Sequence, residues 1–412
     1  MRLNRKFLFY VARGASVGVK PVTLYILLDF GLTELANLLS IYFLAYASLM
    51  IILNNEAHFD FYKNIFSDQK IIWVSKARSE IVYYQRLIYQ FIVFIMILFG
   101  LIYLYVDDIF YSLAFLGAIS LEKVIDEIQR ILLFKKDFEK WSLVMLSKSV
   151  GPFLILFVPI FSLQSPQTTL FWIFLSSSLM INLVVILLSL THNQLRRIYR
   201  LFLNLNIVTL KRYFNDYRRK LIFNQIQAVS TRNIPLTDRM LIRFFKPELL
   251  AQYSFLAQIG TIPVLFIDMF LISTKRKEYL ESKKKINEVV SPTKLVLYGL
   301  MSLAIFGSII LLLNYVDRLL QIDLSLSLIG LIGVYFCIFA VSQHFANYSF
   351  WRVKRKVTLL VDLCYYVMTI IIFLLLEVKF SAVEAIIITL LCTHVIRLVI
   401  LIVLSRSYYC NQ

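Results

Sequence analysis

The chain has 412 residues, 59% of them hydrophobic and only 17% charged, with a mean hydropathy of +0.75. Soluble domains average about 45–50% apolar and about 25% charged residues, so a soluble multi-domain enzyme is excluded and an integral membrane protein expected. The balance of 43 Lys and Arg against 25 Asp and Glu gives +18; cytoplasmic loops of membrane proteins collect such cations, and nucleic acid is not an expected partner.

A membrane helix needs about 20 mostly apolar residues. Such windows fall near 8–28, 34–53, 86–105, 110–130, 141–163, 168–190, 221–243, 251–272, 295–314, 323–343, 357–376 and 383–404. The windows at 8–28, 110–130 and 221–243 are weaker because they hold polar or charged residues. The apolar region near the start is too long for a signal-peptide core, so the first span is expected to stay. The expected fold is therefore all-α and integral to the membrane, with about twelve transmembrane helices.

The connections alternate in charge. "DFGLTE" after the first span has no Lys or Arg, whereas the connection after the second span has five. "VDDIF" and "QSPQT" again have none, while "NQLRRIYRLFLNLNIVTLKRYFNDYRRK" has eight. The positive-inside rule then puts the N and C termini and all long loops in the cytoplasm. The loop 191–220 is amphipathic and suited to a membrane surface. It divides the chain into an N-terminal six-helix lobe over 1–190 and a C-terminal six-helix lobe over 221–412. A faint internal echo supports two halves: Glu34 and Ser40 in "TELANLLSIYFLA" match Glu248 and Ser254 in "PELLAQYSFLAQI".

Cys337, Cys364, Cys392 and Cys410 form no CxxC, and His58, His192, His344 and His394 are scattered. Neither a disulfide frame nor a metal site is expected. Gly14-Ala15-Ser16-Val17-Gly18 is a GxxxG, read as helix packing.

Six cations lie inside spans: Arg13, Lys20, Lys148, Arg232, Arg239 and Arg397. Each costs about 2.5–3.5 kcal/mol at the centre of a lipid-facing helix, about 15–20 kcal/mol for the set. That rivals the net stability of a typical protein. They are expected to face water or acids instead, although Arg13 can snorkel and Lys148 can pair with an acid on a neighbouring helix. Arg13 and Lys20 are seven residues apart and so share a helix face, and Arg232 and Arg239 repeat that spacing. Proline lies close to each pair, Pro21 and Pro235, where a kink is expected. The deep acids are fewer; Asp238 and Asp268 are the candidates for coupling to a proton or sodium gradient. A cationic aqueous passage suits an anionic substrate.

Three stretches carry a family resemblance. "ARGASVGVKPVTLYILLDFGLTELANLLSIYFLAYASLMIIL" resembles the start of the polysaccharide flippases of the multidrug/oligosaccharidyl-lipid/polysaccharide exporter superfamily. "DRMLIRFFKPELLAQYSFLAQIGTIPVLFID" is similar to that family's spans seven and eight, where an Asp and a short turn precede a "YS". "EKVIDEIQRILLFKKDFEKWSLV" looks like its link between spans four and five. The resemblance implies a V-shaped pair of six-helix lobes in a bacterial inner membrane. Such proteins flip an undecaprenyl-diphosphate-linked oligosaccharide to the outer leaflet by alternating access through a cationic cavity. Carried over, the substrate-binding candidates are Arg13, Lys20, Arg232 and Arg239, with Asp238 beside them. Lys148 and Arg397 rest on the charge argument alone. The chain lacks the two extra C-terminal spans of the lipid II branch, which points to lipopolysaccharide O-antigen or capsule biosynthesis, with polysaccharide polymerase machinery as a candidate partner.

On this reading the protein is a transporter and not an enzyme, with no cofactor beyond an ion gradient. The alternatives are a membrane-embedded polysaccharide polymerase, a prenyl-phosphate glycan transferase, or a MATE-like small-molecule exporter. The tiny outer loops disfavour a polymerase. The Asp107-Asp108 pair on the outer side disfavours a magnesium-dependent transferase. The excess of cations over acids disfavours an exporter of cationic drugs.

Overall fold

The structure, a computed structural model, describes residues 5–53, 95, 98–100, 102–104, 108–134, 137–162, 166–189, 226–227, 229–231, 233–267, 291–315, 325–352 and 355–407. The amphipathic loop 191–220, most of the expected span 86–105, Arg232, Asp268 and Cys410 lie outside these residues. The described helices are α1 (Arg5–Asp29), α2 (Thr33–Leu53), α3 (Ile109–Phe134), α4 (Phe138–Ser162), α5 (Gln167–Ser189), α6 (Thr237–Phe245), α7 (Leu250–Ile267), α8 (Pro292–Tyr315), α9 (Leu326–Arg352), α10 (Arg355–Glu377) and α11 (Ala382–Ser407). No strand occurs among the described residues. Eight helices among them are long and apolar enough to cross a membrane.

The distribution of polarity is that of a protein solvated by lipid. On α10 the buried stripe is Thr358, Val361, Asp362, Tyr365, Thr369 and Phe373, spaced three or four residues apart. The opposite face exposes Leu360, Leu363, Val367, Ile370, Ile371, Leu374 and Leu375. A helix in water would show the reverse. Together with the eight spanning helices, this pattern makes the chain a multi-pass, all-helical membrane protein.

Helix ends are closed by local chemistry. Gly31, at φ 70°, follows α1. There the Leu32 N–H donates to the Leu27 carbonyl at 2.8 Å and the Gly31 N–H to the Leu28 carbonyl at 3.1 Å, the Schellman arrangement that stops a helix tightly. At the start of α11, the Glu384 N–H lies 3.4 Å from Ser381 Oγ, and Glu384 Oε2 accepts from the Ser381 N–H at 3.2 Å. That reciprocal pair is a capping box. Pro235, expected to kink the seventh span, sits in a 3-10 turn, Ile234–Leu236, directly before α6. Pro21, by contrast, lies inside an uninterrupted α1.

The chain forms two compact units: residues 1–19 with 41–233, and residues 20–40 with 234–412. In the first, α3, α4 and α5 pack mutually. In the second, α9 packs on α7, α8 and α11, while α11 also meets α6 and α10. The tip of the α1–α2 hairpin belongs to the second unit, where Asn37 Oδ1 accepts the Ala251 N–H at 3.0 Å and so caps the first turn of α7. The internal echo has structural content there. Ser40 and Ser254 are each 2% exposed, and neither hydroxyl has a hydrogen-bond partner among the described residues.

Close helix approach occurs where the side chain is absent, but not at the GxxxG. A Cβ on Gly260 of α7 would stand 2.2 Å from the Phe336 ring of α9, whereas no described atom lies within 4 Å of one on Gly14 or Gly18. The packing role expected of Gly14 and Gly18 thus has no partner among the described residues. Gly260→Val should destabilise the detergent-solubilised protein by about 1–3 kcal/mol through overpacking. Gly14→Ala should leave thermal stability unchanged or slightly raised, since it removes helix-interior glycine. Scanning fluorimetry of both variants checks this.

Candidate functional site

Several described candidate residues fall into two polar groups, one in each unit, and their charges meet different fates. In the first unit α3 ends at Phe134 and α4 starts at Phe138, so residues at similar distances from those ends meet at one depth. Lys148 of α4 reaches both acids of the facing helix, with Nζ 2.7 Å from Asp126 Oδ1 and 3.2 Å from Glu122 Oε2. Glu122 and Asp126 are one turn apart on α3 and present both carboxylates on one face. The side chains of Lys148 and Glu122 are each 11% exposed. Lys123 pairs separately with Glu127 at 3.0 Å. Lys148 is therefore held by a pair of acids.

Around this trio α2 and α5 supply hydroxyls and an amide. Tyr46 engages Glu122, and Tyr42, one turn earlier, packs its ring 5.4 Å from Phe174 of α5. Next on α5 are Ser178 and Asn182, whose Nδ2 lies 3.5 Å from Ser178 Oγ. The Tyr42 hydroxyl and Asn182 Oδ1 are buried with no hydrogen-bond partner among the described residues.

In the second unit Asp238 opens α6 and is fully buried. Its Oδ1 accepts the Arg239 N–H at 2.7 Å and its Oδ2 accepts the Tyr253 hydroxyl at 3.1 Å. Tyr253 is the tyrosine of the "YS" at the start of α7. On α10 and α11, Arg397 donates from Nη2 and Nε to Asp362 Oδ1, at 3.0 and 3.3 Å. Both side chains are nearly inaccessible, at 2% and 3%. One turn before Arg397, His394 is enclosed by Tyr335, Phe339 and Tyr365, with ring centroids at 5.0, 5.6 and 5.0 Å. Its Nδ1 lies 3.1 Å from the Leu390 carbonyl and 3.2 Å from Tyr365 Oη. A proton on Nδ1 satisfies the carbonyl and leaves Nε2 as an acceptor.

Arg13 and Arg239 differ from these pairs. Among the described residues neither makes an ion pair, and Arg239 Nε is buried without a hydrogen-bond partner. Arg13 is half-buried, and only its backbone carbonyl is engaged, accepting from Ser16 Oγ at 2.8 Å. Lys20 is likewise half-buried. The candidates thus separate into Lys148 and Arg397, held in carboxylate ion pairs, Arg239, which has Asp238 within electrostatic reach, and Arg13, which has no ion pair among the described residues.

Sequence reasoning treated His394 as one of four scattered histidines and did not connect Asp362 with Arg397. A signal was present: Asp362 lies fifteen residues before the end of α10 at Glu377, and Arg397 fifteen residues after the start of α11 at Ala382. In an antiparallel pair joined by a short turn, such positions share a depth. Compared with protein-family models, curated proteins and solved structures, the chain matches none.

Removing one member of the buried α10–α11 pair leaves an uncompensated charge. Asp362→Asn should cost about 3–5 kcal/mol, while the double variant Asp362→Leu with Arg397→Met should recover most of it. Thermal unfolding of the three proteins in one detergent measures the difference.

Proposed function

We propose that the protein is a flippase that moves an undecaprenyl-diphosphate-linked oligosaccharide from the inner to the outer leaflet of a bacterial inner membrane. It does so by alternating access, with twelve spans in two six-helix lobes and both termini in the cytoplasm. The observation that carries the reading is the survival of Arg13 inside a spanning helix, Leu8–Asp29, with no ion pair among the described residues. An uncompensated cation at that depth is costly unless water or an anion meets it. A diphosphate meets it with two charges and several acceptor oxygens, and arginine is the side chain best matched to phosphate geometry. The three stretches resembling polysaccharide flippases support the same conclusion. Lys20 and Arg232 extend the cationic set by their spacing of seven from Arg13 and Arg239. Lys148 and Arg397 are assigned to holding helices together, because carboxylates already answer their charge.

In this mechanism the lipid tail stays in the bilayer and the glycan crosses through water. The arginines supply the attraction that brings the pyrophosphate into the passage. Asp238, beside Arg239, can weaken the hold on the anion at release.

Loss of one charge-assisted hydrogen bond costs about 1.5–3 kcal/mol, or about 10–100-fold in binding. Arg13→Ala combined with Arg239→Ala should therefore reduce translocation of a radiolabelled lipid-linked glycan at least about tenfold. The readout is accessibility of the glycan to a cleaving probe on the far side of proteoliposomes. Full translocation by the folded double variant would refute the arginine role. Conversion of the lipid-linked glycan into a longer or transferred product, without translocation, would instead indicate a polymerase or transferase.

A further inference from the structure

Asp238 and Arg239 are consecutive residues of α6 with opposite charges, and they do not close into an ion pair. The Asp238 carboxylate lies within electrostatic reach of Arg239. Yet Arg239 makes no ion pair among the described residues, and its Nε is buried without a hydrogen-bond partner. A guanidinium and a carboxylate in a partly buried site attract one another, and a forked contact with two parallel hydrogen bonds is the strong form of that attraction. Their separation needs a cause.

The cause lies on the side of the carboxylate. Asp238 is fully buried, and each of its oxygens has another donor. Oδ1 accepts the Arg239 backbone N–H at 2.7 Å, which ties the carboxylate to the start of α6. Oδ2 accepts the Tyr253 hydroxyl at 3.1 Å, and Tyr253, on α7, is 1% exposed. Two bonds to donors on different helices fix the direction and the plane of the carboxylate. Successive side chains of a helix project about 100° apart, so a carboxylate aimed at α7 does not meet the guanidinium one residue on. Two more buried tyrosines, Tyr335 of α9 and Tyr365 of α10, stand within electrostatic reach of Asp238. Tyr365 Oη is turned to His394, 3.2 Å from Nδ1. Of the three tyrosines, Tyr253 is the one whose hydroxyl bonds the carboxylate. A tyrosine has a single hydroxyl hydrogen, and here Asp238 receives it.

We infer that Tyr253 is a positioning residue for Arg239: by holding the Asp238 carboxylate toward α7, its hydroxyl keeps the guanidinium out of an internal ion pair and open to an external anion. That the anion is a diphosphate rests on the transport reading above; the holding of Asp238 does not. The same arrangement makes Asp238 a competitor in reserve. Once the Tyr253 bond breaks, the carboxylate is free to turn to Arg239, and a bound anion loses its partner.

Modification of Arg239 by phenylglyoxal, followed by mass spectrometry on the full-length protein in detergent, reads how free the guanidinium is. The wild type should be modified. Tyr253→Phe keeps the ring and loses only the hydroxyl, and should slow modification at least about threefold, the scale of a partly exposed ion pair. Asp238→Asn should not slow it, and adding Tyr253→Phe to Asp238→Asn should change nothing further. That second comparison stands even where Tyr253→Phe alone does not fold. A tyrosine that only packed α7 against α6 would have the same effect in both backgrounds. An Arg239 that is inert in the wild type, a rate unmoved by Tyr253→Phe, or an equal effect of Tyr253→Phe with and without the Asp238 carboxylate overturns the proposal. Inorganic pyrophosphate should protect Arg239 in the wild type and, at the same concentration, protect it less in Tyr253→Phe. The expected pattern of rates without protection by pyrophosphate keeps Tyr253 as the residue that holds Asp238 and counts against the diphosphate of the transport reading.

Discussion

A charge placed among helices surrounded by hydrocarbon has no water to fall back on, and the arrangement of this protein follows from how each such charge is met. Arg397 is met by Asp362 within one hairpin, and Lys148 by Glu122 and Asp126 within another. These contacts tie α10 to α11 and α3 to α4 at fixed depth. The outward faces are left to leucine, isoleucine and valine. Polarity is therefore turned inward, and the interior that results is specified by hydrogen bonds as much as by packing.

That interior is not uniformly satisfied. Arg239 Nε, Arg397 Nη1, His394 Nε2, Tyr42 Oη and Asn182 Oδ1 are all buried without a partner among the described residues. Buried polar atoms are nearly always paired in folded proteins, so a concentration of unpaired ones marks places where water, protons or a ligand belong. Two of them, Arg239 Nε and Arg397 Nη1, belong to cations singled out on charge grounds, while others, such as Ser48 Oγ and Trp141 Nε1, lie apart from those groups.

Much of the helical pattern was legible because hydropathy over twenty residues is a strong signal. The windows at 141–163, 168–190, 357–376 and 383–404 coincide closely with α4, α5, α10 and α11. Capping was equally local: Ser381 followed three residues later by Glu384, and a glycine two residues beyond Asp29, announce their helix ends. The site was harder. Arg13 and Arg239 stood out as cations in apolar windows, but their composition alone does not tell which cations find acids. The pairing of Asp362 with Arg397 depends on two helices being neighbours, a fact of tertiary structure that only the shared distance from the turn could suggest. The contact of Asp238 with Tyr253 was foreshadowed by the "YS" motif, whereas the enclosure of His394 involves helices far apart in the chain. Gly14 and Gly18 show the limit of motif reading, since the same spacing that packs helices elsewhere faces open space among the described residues here.

The grouping of residues 20–40 with the C-terminal unit has a consequence for biogenesis. These residues are synthesised long before their partners: Asn37 waits for Ala251 and Tyr25 for Phe255. Asn37 and Ala251 are 214 residues apart, and this hairpin cannot dock at its tip before the intervening chain is made and inserted. During that interval the polar groups of this hairpin depend on the insertion machinery or on transient contacts for shelter, and the second unit cannot close before α7 is made.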